Sequence, residues 1–103
     1  MKHGKKVSDF EILGMCEFFK AMSDPTRLRI IAELMRGNLC VNHICEKVGM
    51  SQSAVSHQLA VLKGAGLVRM ARSGKTAVYS VADEHVRLMY DMALLHVEEG
   101  ELR

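Results

Sequence analysis

Four side chains with metal-binding donor atoms lie near the end of the chain in one regular pattern. Asp83, His85, His96 and Glu99 read D-x-H, then ten residues, then H-x-x-E. On a helix that turns about 100° per residue, His96 lies about 20° from His85 around the axis, and Glu99 lies about 40° to the other side. These three side chains therefore share one narrow stripe, and the direction of Asp83, at the expected helix start, stays open.

The length of the helix keeps the two imidazoles of this stripe apart. His85 and His96 are eleven residues apart, which is about 16 Å along the axis, whereas a zinc–nitrogen bond is only ~2 Å. One helix therefore cannot place both on one ion. Two antiparallel copies can, with Asp83 and His85 of one chain facing His96 and Glu99 of the other in two symmetric sites. Two nitrogens and two oxygens suit tetrahedral Zn(II) or Co(II).

Two further readings of the stripe remain open. Ni(II) favours more ligands, and His3 in the N-terminal segment is a candidate for one of them. The spacing is also compatible with histidines that bind no metal and lie in an interface, where the neighbouring Asp and Glu side chains hydrogen-bond to them. An apolar arc of about 220° surrounds the stripe and is too broad to cover a single core, which predicts a partner on one side. Its members are Val86, Leu88, Met89, Met92, Ala93, Leu95 and Val97.

The thiols offer a second, weaker candidate metal site around a short predicted helix. Cys40 and His43, together with His3, supply one sulfur and two imidazole nitrogens. Simple packing explains Cys40 as well, and Cys45 is interpreted as a small core residue. Three cysteines without framework spacing indicate reduced thiols.

The elements that must position these donors follow from caps and periodicity. Ser8 opens a first helix, Asp24-Pro25 a second, Ser51 a fourth and Asp83 the last. Two β-rich runs flank Ser73-Gly74-Lys75 and predict a hairpin. The expected order is ααααββα, a mainly α fold with a β-hairpin (α+β) in a single domain, 1–103. The second helix is expected to bury Leu28, Ile31, Ala32 and Met35.

Residues 41–66 have the shape of a helix-turn-helix, with Gly49-Met50-Ser51 between two short helices. The second of these helices buries its apolar face, and the opposite face is polar at the N-terminal end. That end of such a helix enters the major groove of DNA, where short polar side chains reach base edges. The candidates are Gln52, Ser53, Ser56, His57 and Gln58, and Lys63 further along suits a phosphate.

Residues 67–81 form the predicted hairpin, with Arg69 and Arg72 on one strand and Lys75 in the turn. A cationic hairpin after a helix-turn-helix is typical of a wing, whose charges meet phosphates or the minor groove. Residues 1–82 carry twelve Lys/Arg against six Asp/Glu, and residues 83–103 carry two against six. Either element alone could be ordinary solvated surface, but the combination favours DNA binding.

Composition and motifs exclude other classes. No apolar run approaches 18 residues and no signal core follows the basic N-terminus, so we expect a cytoplasmic protein without a membrane partner. The chain has neither a nucleophile–base pattern nor a phosphate loop, and four metal donors leave no position open for a substrate water. We therefore expect neither an enzyme nor a small organic substrate.

Three segments resemble the ArsR/SmtB family of winged helix-turn-helix repressors. They are Ala21–Ile30 (AMSDPTRLRI), Ser51–Leu59 (SQSAVSHQL) followed by Leu62-Lys63 and Gly66-Leu67-Val68, and Arg72–Tyr79. The resemblance implies a homodimer on a pseudo-palindromic operator that an inducer, often a metal ion, releases. Asp83, His85, His96 and Glu99 match the last-helix site of zinc-sensing members. Arsenic-, cadmium- and lead-sensing relatives carry a C-x-C pair at Cys40, where this chain has Asn42.

The resulting hypothesis is a metal-responsive repressor of transcription. Helices 8–22 and 83–102 would form the dimer, and Zn(II) at the last-helix site would release double-stranded operator DNA. One rival keeps the repressor but lets Ni(II), Co(II), a soft metal or oxidation at Cys40 and Cys45 do the sensing. Another rival, of a different class, is a protein-interaction module with structural zinc.

Overall fold

The computed structural model describes residues 4–101, and of Glu101 only the backbone. His3 and residue 102, the expected end of the last helix, lie outside this range. The elements in chain order are α1 (Asp9–Met22), α2 (Pro25–Arg36), β1 (Leu39–Cys40), α3 (Val41–Val48), α4 (Gln52–Gly64), β2 (Val68–Ser73), β3 (Thr76–Val81) and α5 (Glu84–Glu101).

The predicted caps set the helix starts. Ser8 and Glu11 form a reciprocal capping box on α1, in which Ser8 Oγ accepts from the Glu11 N–H and Glu11 Oε1 accepts from the Ser8 N–H. The Ser8 N–H, together with the Lys5 ammonium, lowers the pKa of Glu11 below its usual range. Asp24 Oδ2 accepts the Arg27 N–H at 3.0 Å at the start of α2, and Ser51 caps α4 through the N–H of Ala54. These local hydrogen bonds confirm the predicted helix starts.

The hairpin is part of a three-stranded antiparallel sheet in the order β1-β3-β2. Ser73 lies opposite Thr76, and Gly74 has φ 63° at the first position of the two-residue turn, where a type II′ turn favours glycine. The predicted order lacked β1, whose Leu39 and Cys40 lie opposite Tyr79 and Val78 of β3. A strand of two residues has no alternation from which to predict it.

The core lies between α2, α3, α4 and the sheet, and α5 contributes Val86. The predicted face of α2 is confirmed at Ile31 and wrong at Leu28, while Ala32 and Met35 are half-buried, so the observed buried face is rotated by about 100° from the predicted one. Ile30, Ile31 and Leu34 are fully buried, whereas Leu28 is 39% exposed. Leu28 instead lines an apolar groove of about 420 Å³ between α2 and α5. Because α2 is apolar on both sides, periodicity could not select the side that packs on α3 and α4.

Helices α1 and α5 leave much of their apolar surface open in the single chain. Ala21 is the one buried residue of α1, while Phe10 is 86% and Leu13 65% exposed. On α5, every residue from Asp91 to Gly100 is exposed, including Met92 at 63%. Within the described residues, no helix is both long and apolar enough to cross a membrane.

Candidate DNA-binding surface and metal site

The turn between α3 and α4 is built around a left-handed glycine. Gly49 has φ 70°, and its N–H and that of Met50 both donate to the carbonyl of Cys45, at 2.8 and 3.3 Å. This closes α3 and turns the chain into the cap of α4. Ile44 of α3 and Val55, Leu59 and Leu62 of α4 are buried in the core. The two helices are therefore fixed to the domain through one face each.

The opposite face of α4 is open to solvent, as predicted. Gln52, Ser53, Ser56 and His57 are exposed near its N-terminus, and Lys63 is exposed near its end. This group, without Gln58, is here called the α4 polar face.

Gln58, predicted to belong to the same face, has a different environment. Its side chain is half-buried, and its Oε1 accepts a hydrogen bond from Arg27 Nη1 at 3.2 Å. Sequence reasoning missed Arg27 altogether, because its partner is 31 positions away and no local pattern reveals the pair.

The cationic wing lies beside the N-terminal end of α4. Arg69, Arg72 and Lys75 are all exposed. Arg72 and Lys75 line a cleft of about 330 Å³ together with Gln52 of α4 and Cys40 at the start of α3. Two cations of the wing and the first polar side chain of α4 thus face the same cleft, an arrangement that suits a phosphate backbone beside a DNA groove.

Among the described residues, the thiol candidates do not assemble a metal site, and their third candidate donor, His3, lies outside the described range. Cys40 is the N-cap residue of α3 without a side-chain cap bond, Cys45 is half-buried, and His43 is exposed. Across the described part of the chain, no three His, Cys, Asp or Glu side chains come together as a metal-binding group.

The last-helix donors are held as two separate halves. Asp83 Oδ1 accepts the Val86 N–H at 3.1 Å, so the carboxylate caps α5, and the same oxygen lies 3.6 Å from Nδ1 of His85. The His85 side chain is 90% exposed. His96 and Glu99 are exposed further along α5. Because about three turns of α5 separate the two halves, they cannot bind one ion together, and each remains accessible to donors of a second chain.

A helix-turn-helix followed by a basic hairpin defines a winged helix-turn-helix protein. The family model of the bacterial regulatory protein, arsR family, matches residues 24–70. A transcriptional repressor SmtB homolog from Synechocystis is 42% identical over 87 residues, which are 84% of this chain and 66% of that protein. The matched part of the chain thus spans just under two thirds of that relative.

Two solved structures superpose on nearly the whole chain. The antimony-specific transcriptional repressor AntR superposes with a TM-score of 0.85 at 33% identity, covering 100% of this chain and 94% of AntR. The homodimeric winged helix-turn-helix DNA-binding domain of a possible ArsR-family regulator from Mycobacterium bovis gives 0.86 at 27% identity, covering 96% and 93%. The chain belongs to the arsR family of bacterial regulatory proteins. This confirms the predicted fold class, and, since the family consists of transcriptional regulators, the expectation of a non-enzyme.

Proposed function

We propose that the protein is a dimeric transcriptional repressor that binds operator DNA without metal and is released by Zn(II) at the last-helix site. Family membership supports a regulator, and two of the similar proteins are named as repressors, one of them specific for antimony. A metal or metalloid as the signal is therefore in keeping with the relatives.

The DNA-binding part of the proposal depends on the α4 polar face and the wing. Exposed Gln, Ser and His side chains at the start of α4 offer donors and acceptors to base edges. Arg69, Arg72 and Lys75 supply the phosphate contacts that position the helix. Lys63 adds a further cation beyond the base-reading end.

The dimer part depends on the apolar surface of α1 and α5, which stays exposed in the single chain. Large apolar side chains exposed together along α1 and along α5 are unusual in a monomer and support an association site on these helices. The described neighbour from Mycobacterium bovis is homodimeric. We therefore assign 8–22 and 83–102 to the dimer interface.

One observation carries the metal assignment: the carboxylate of Asp83 is fixed by the α5 cap beside the exposed imidazole of His85. These two donors need a second pair to complete a site, and His96 with Glu99 is the matching pair on a partner. Two imidazole nitrogens and two carboxylate oxygens fit Zn(II) or Co(II). All four positions are exposed, so each donor is accessible to an ion held between two chains.

In this scheme, a bound ion would cross-link the two α5 helices. Because Val86 joins α5 to the core, a fixed pair of α5 helices would favour one arrangement of the two domains. If that arrangement misaligns the α4 helices with the operator, DNA affinity falls. Couplings of this type are typically about 1–3 kcal/mol. The second imidazole nitrogen of His96 would relay the change to the domain, since metal-bound histidines usually donate their other N–H to a neighbouring acceptor.

The test is an anisotropy titration of labelled duplex DNA from upstream of the coding gene with reduced, metal-free protein, followed by addition of Zn(II). We expect tight, salt-dependent binding that zinc reverses. His96→Ala should bind DNA normally and lose the zinc response. His43→Ala is the matched control, because it removes an exposed imidazole from α3 and should leave the response intact.

The other outcomes identify the rivals. Release of DNA by Zn(II) from the His96→Ala variant would refute the site. Release by Ni(II) or Co(II) but not Zn(II) would keep the scaffold and change the inducer. Loss of the response after alkylation of Cys40 and Cys45 would shift the sensing to the thiols. Weak binding without salt dependence would favour an interaction module with structural zinc.

A further inference from the structure

Arg27 joins three elements through one guanidinium group. Its Nε donates to the carbonyl of Ala21 at 2.8 Å, its Nη2 to the carbonyl of Lys20 at 3.3 Å, and its Nη1 to Gln58 Oε1 at 3.2 Å. The first two acceptors belong to the last turn of α1, where carbonyls lack a helical partner four residues later and the helix end favours a cation, although the Lys20 carbonyl also accepts from Ser23. The third belongs to α4.

The base of the Arg27 side chain is itself held in place. Its backbone N–H donates to Asp24 Oδ2 at 3.0 Å, in the N-cap of α2. The guanidinium therefore reaches from a fixed helix start to two other helices. Planar geometry with several fixed donors makes arginine suited to such a three-way contact.

Gln58 occupies the flank of α4 that turns away from the polar face. At about 100° per residue, it lies about 60° from buried Val55 and about 100° from exposed His57. It is half-buried while Ser56 and His57 are exposed. The bond from Arg27 leaves the amide oxygen a second lone pair and the NH2 its two donors, but it holds the amide on this flank of α4 and away from the polar face.

The end of α1 and the end of α4 meet at a cleft of about 360 Å³ beside the core residue Ala21. Its lining residues are Glu17, Lys20 and Ala21 of α1, Arg27, and Val61, Gly64 and Ala65 around the end of α4. An open cleft permits one helix to shift against the other. The guanidinium spans the gap with hydrogen bonds whose directions restrict that shift.

We infer that Arg27 and Gln58 are positioning residues, which transmit the orientation of α1 to α4, and that Gln58 does not read bases. This inference deepens the proposed function and rests on it, because α1 lies in the proposed dimer interface and α4 on the proposed DNA surface. The contact then sets the spacing and angle between the two α4 helices of a dimer. It acts equally on every operator sequence of the correct length.

The first measurement needs no DNA. Urea unfolding of wild type, Arg27→Met, Gln58→Met and the double variant tests whether the two side chains interact in the free protein. We expect the double variant to change the free energy of unfolding by an amount that differs from the sum of the two single changes. The Gln58→Met variant leaves the two α1 carbonyls bonded to Arg27, so it stays informative if Arg27→Met unfolds. Fully additive effects would show that the contact is absent and would overturn the inference.

The second measurement is operator affinity on a panel of duplexes with every base pair varied and with half-site spacing changed by one base pair. Gln58→Met should weaken binding to all sequences alike, by about five- to tenfold, and should flatten the preference for one spacing. The double variant should be no weaker than Arg27→Met. Gln52→Met is the matched control on the same helix, and it should lose discrimination at particular base pairs instead.

The possible failures are distinguishable. Loss of discrimination at one base pair in Gln58→Met, with the spacing preference unchanged, would make Gln58 a base-reading residue and overturn the inference while the proposed repressor stands. Absence of salt-dependent binding by the wild type to any duplex would overturn the proposed function, and the inference with it.

Discussion

Nδ1 of His85 lies 3.6 Å from Oδ1 of Asp83, the same oxygen that accepts the Val86 N–H at the start of α5. One carboxylate thus serves a structural cap and sits beside a candidate ligand. The cap gives Asp83 the defined direction that its position at a helix start left open. The two roles can be separated by substitution.

Asp83→Asn should keep the cap and weaken the metal site. Asparagine caps a helix about as well as aspartate, so the free energy of unfolding should change by less than about 0.5 kcal/mol. Zinc affinity should fall by at least the roughly ten- to hundredfold that loss of a ligand's supporting partner costs. Asp83→Ala should in addition lose about 1 kcal/mol of stability. A zinc titration of the DNA complex checks this, and an unchanged response in Asp83→Asn would remove Asp83 from the ligand set.

Leu95→Glu on α5 and Leu13→Glu on α1 should each dissociate the dimer. These side chains are 50% and 65% exposed in the single chain. Full burial of a leucine contributes about 1.5–3 kcal/mol; roughly half of each side chain remains to be buried and the change occurs in both protomers, so its loss corresponds to roughly a ten- to hundredfold weaker dimer. Sedimentation equilibrium measures the change. Lys47→Glu, an exposed change of charge on α3, is the control, and equal weakening by all three would argue against an α1/α5 interface.

Arg72→Ala and Lys75→Ala should lower the salt dependence of DNA binding. Each lost phosphate contact reduces the slope of log K against log salt by about 0.9 in magnitude. The reduction should be the same on specific and unrelated duplexes, because phosphates carry no sequence. Arg36→Ala at the exposed end of α2 serves as the control. A slope that stays constant in both wing variants would mean that the wing does not touch the backbone.

Gly49→Ala should destabilise the helix-turn-helix through its backbone alone. Gly49 has φ 70°, and a Cβ there would meet nothing within 4 Å. The cost is therefore the left-handed conformation, about 1–2 kcal/mol, and Gly49→Asn should lose less. Gly64→Ala is the matched control, because its site is equally open and lies in helical backbone. It should raise stability by about 0.4–1 kcal/mol in the same urea titration.

Sequence sufficed where the signal is local. Ser8, Asp24 and Ser51 each mark a helix start because the side chain bonds a backbone N–H three positions later. Gly49 marks a stop because the next turn needs positive φ. The spacing of His85 and His96 likewise required no structure, since helix geometry alone separates them.

The sequence did not predict features that depend on contacts with residues far along the chain. Leu39 and Cys40 form a strand only because Tyr79 and Val78 pair with them forty residues later. Leu28 is exposed because the opposite side of α2 faces α3 and α4. Gln58 resembles a base reader in sequence, and only the fold brings Arg27 to it. How two α5 helices meet is a property of two chains and is not encoded in the periodicity of one.

The short strand β1 has a consequence for how the domain can move. It leads directly into α3 and pairs with Val78 and Tyr79 of β3, so it attaches the base of the wing to the start of the helix-turn-helix. We therefore expect α4 and the base of the wing to keep a constant separation. In the proposed dimer, a signal from the α1/α5 interface would then reach DNA as a movement of the helix-turn-helix and the wing together, which would change the separation of the two α4 helices.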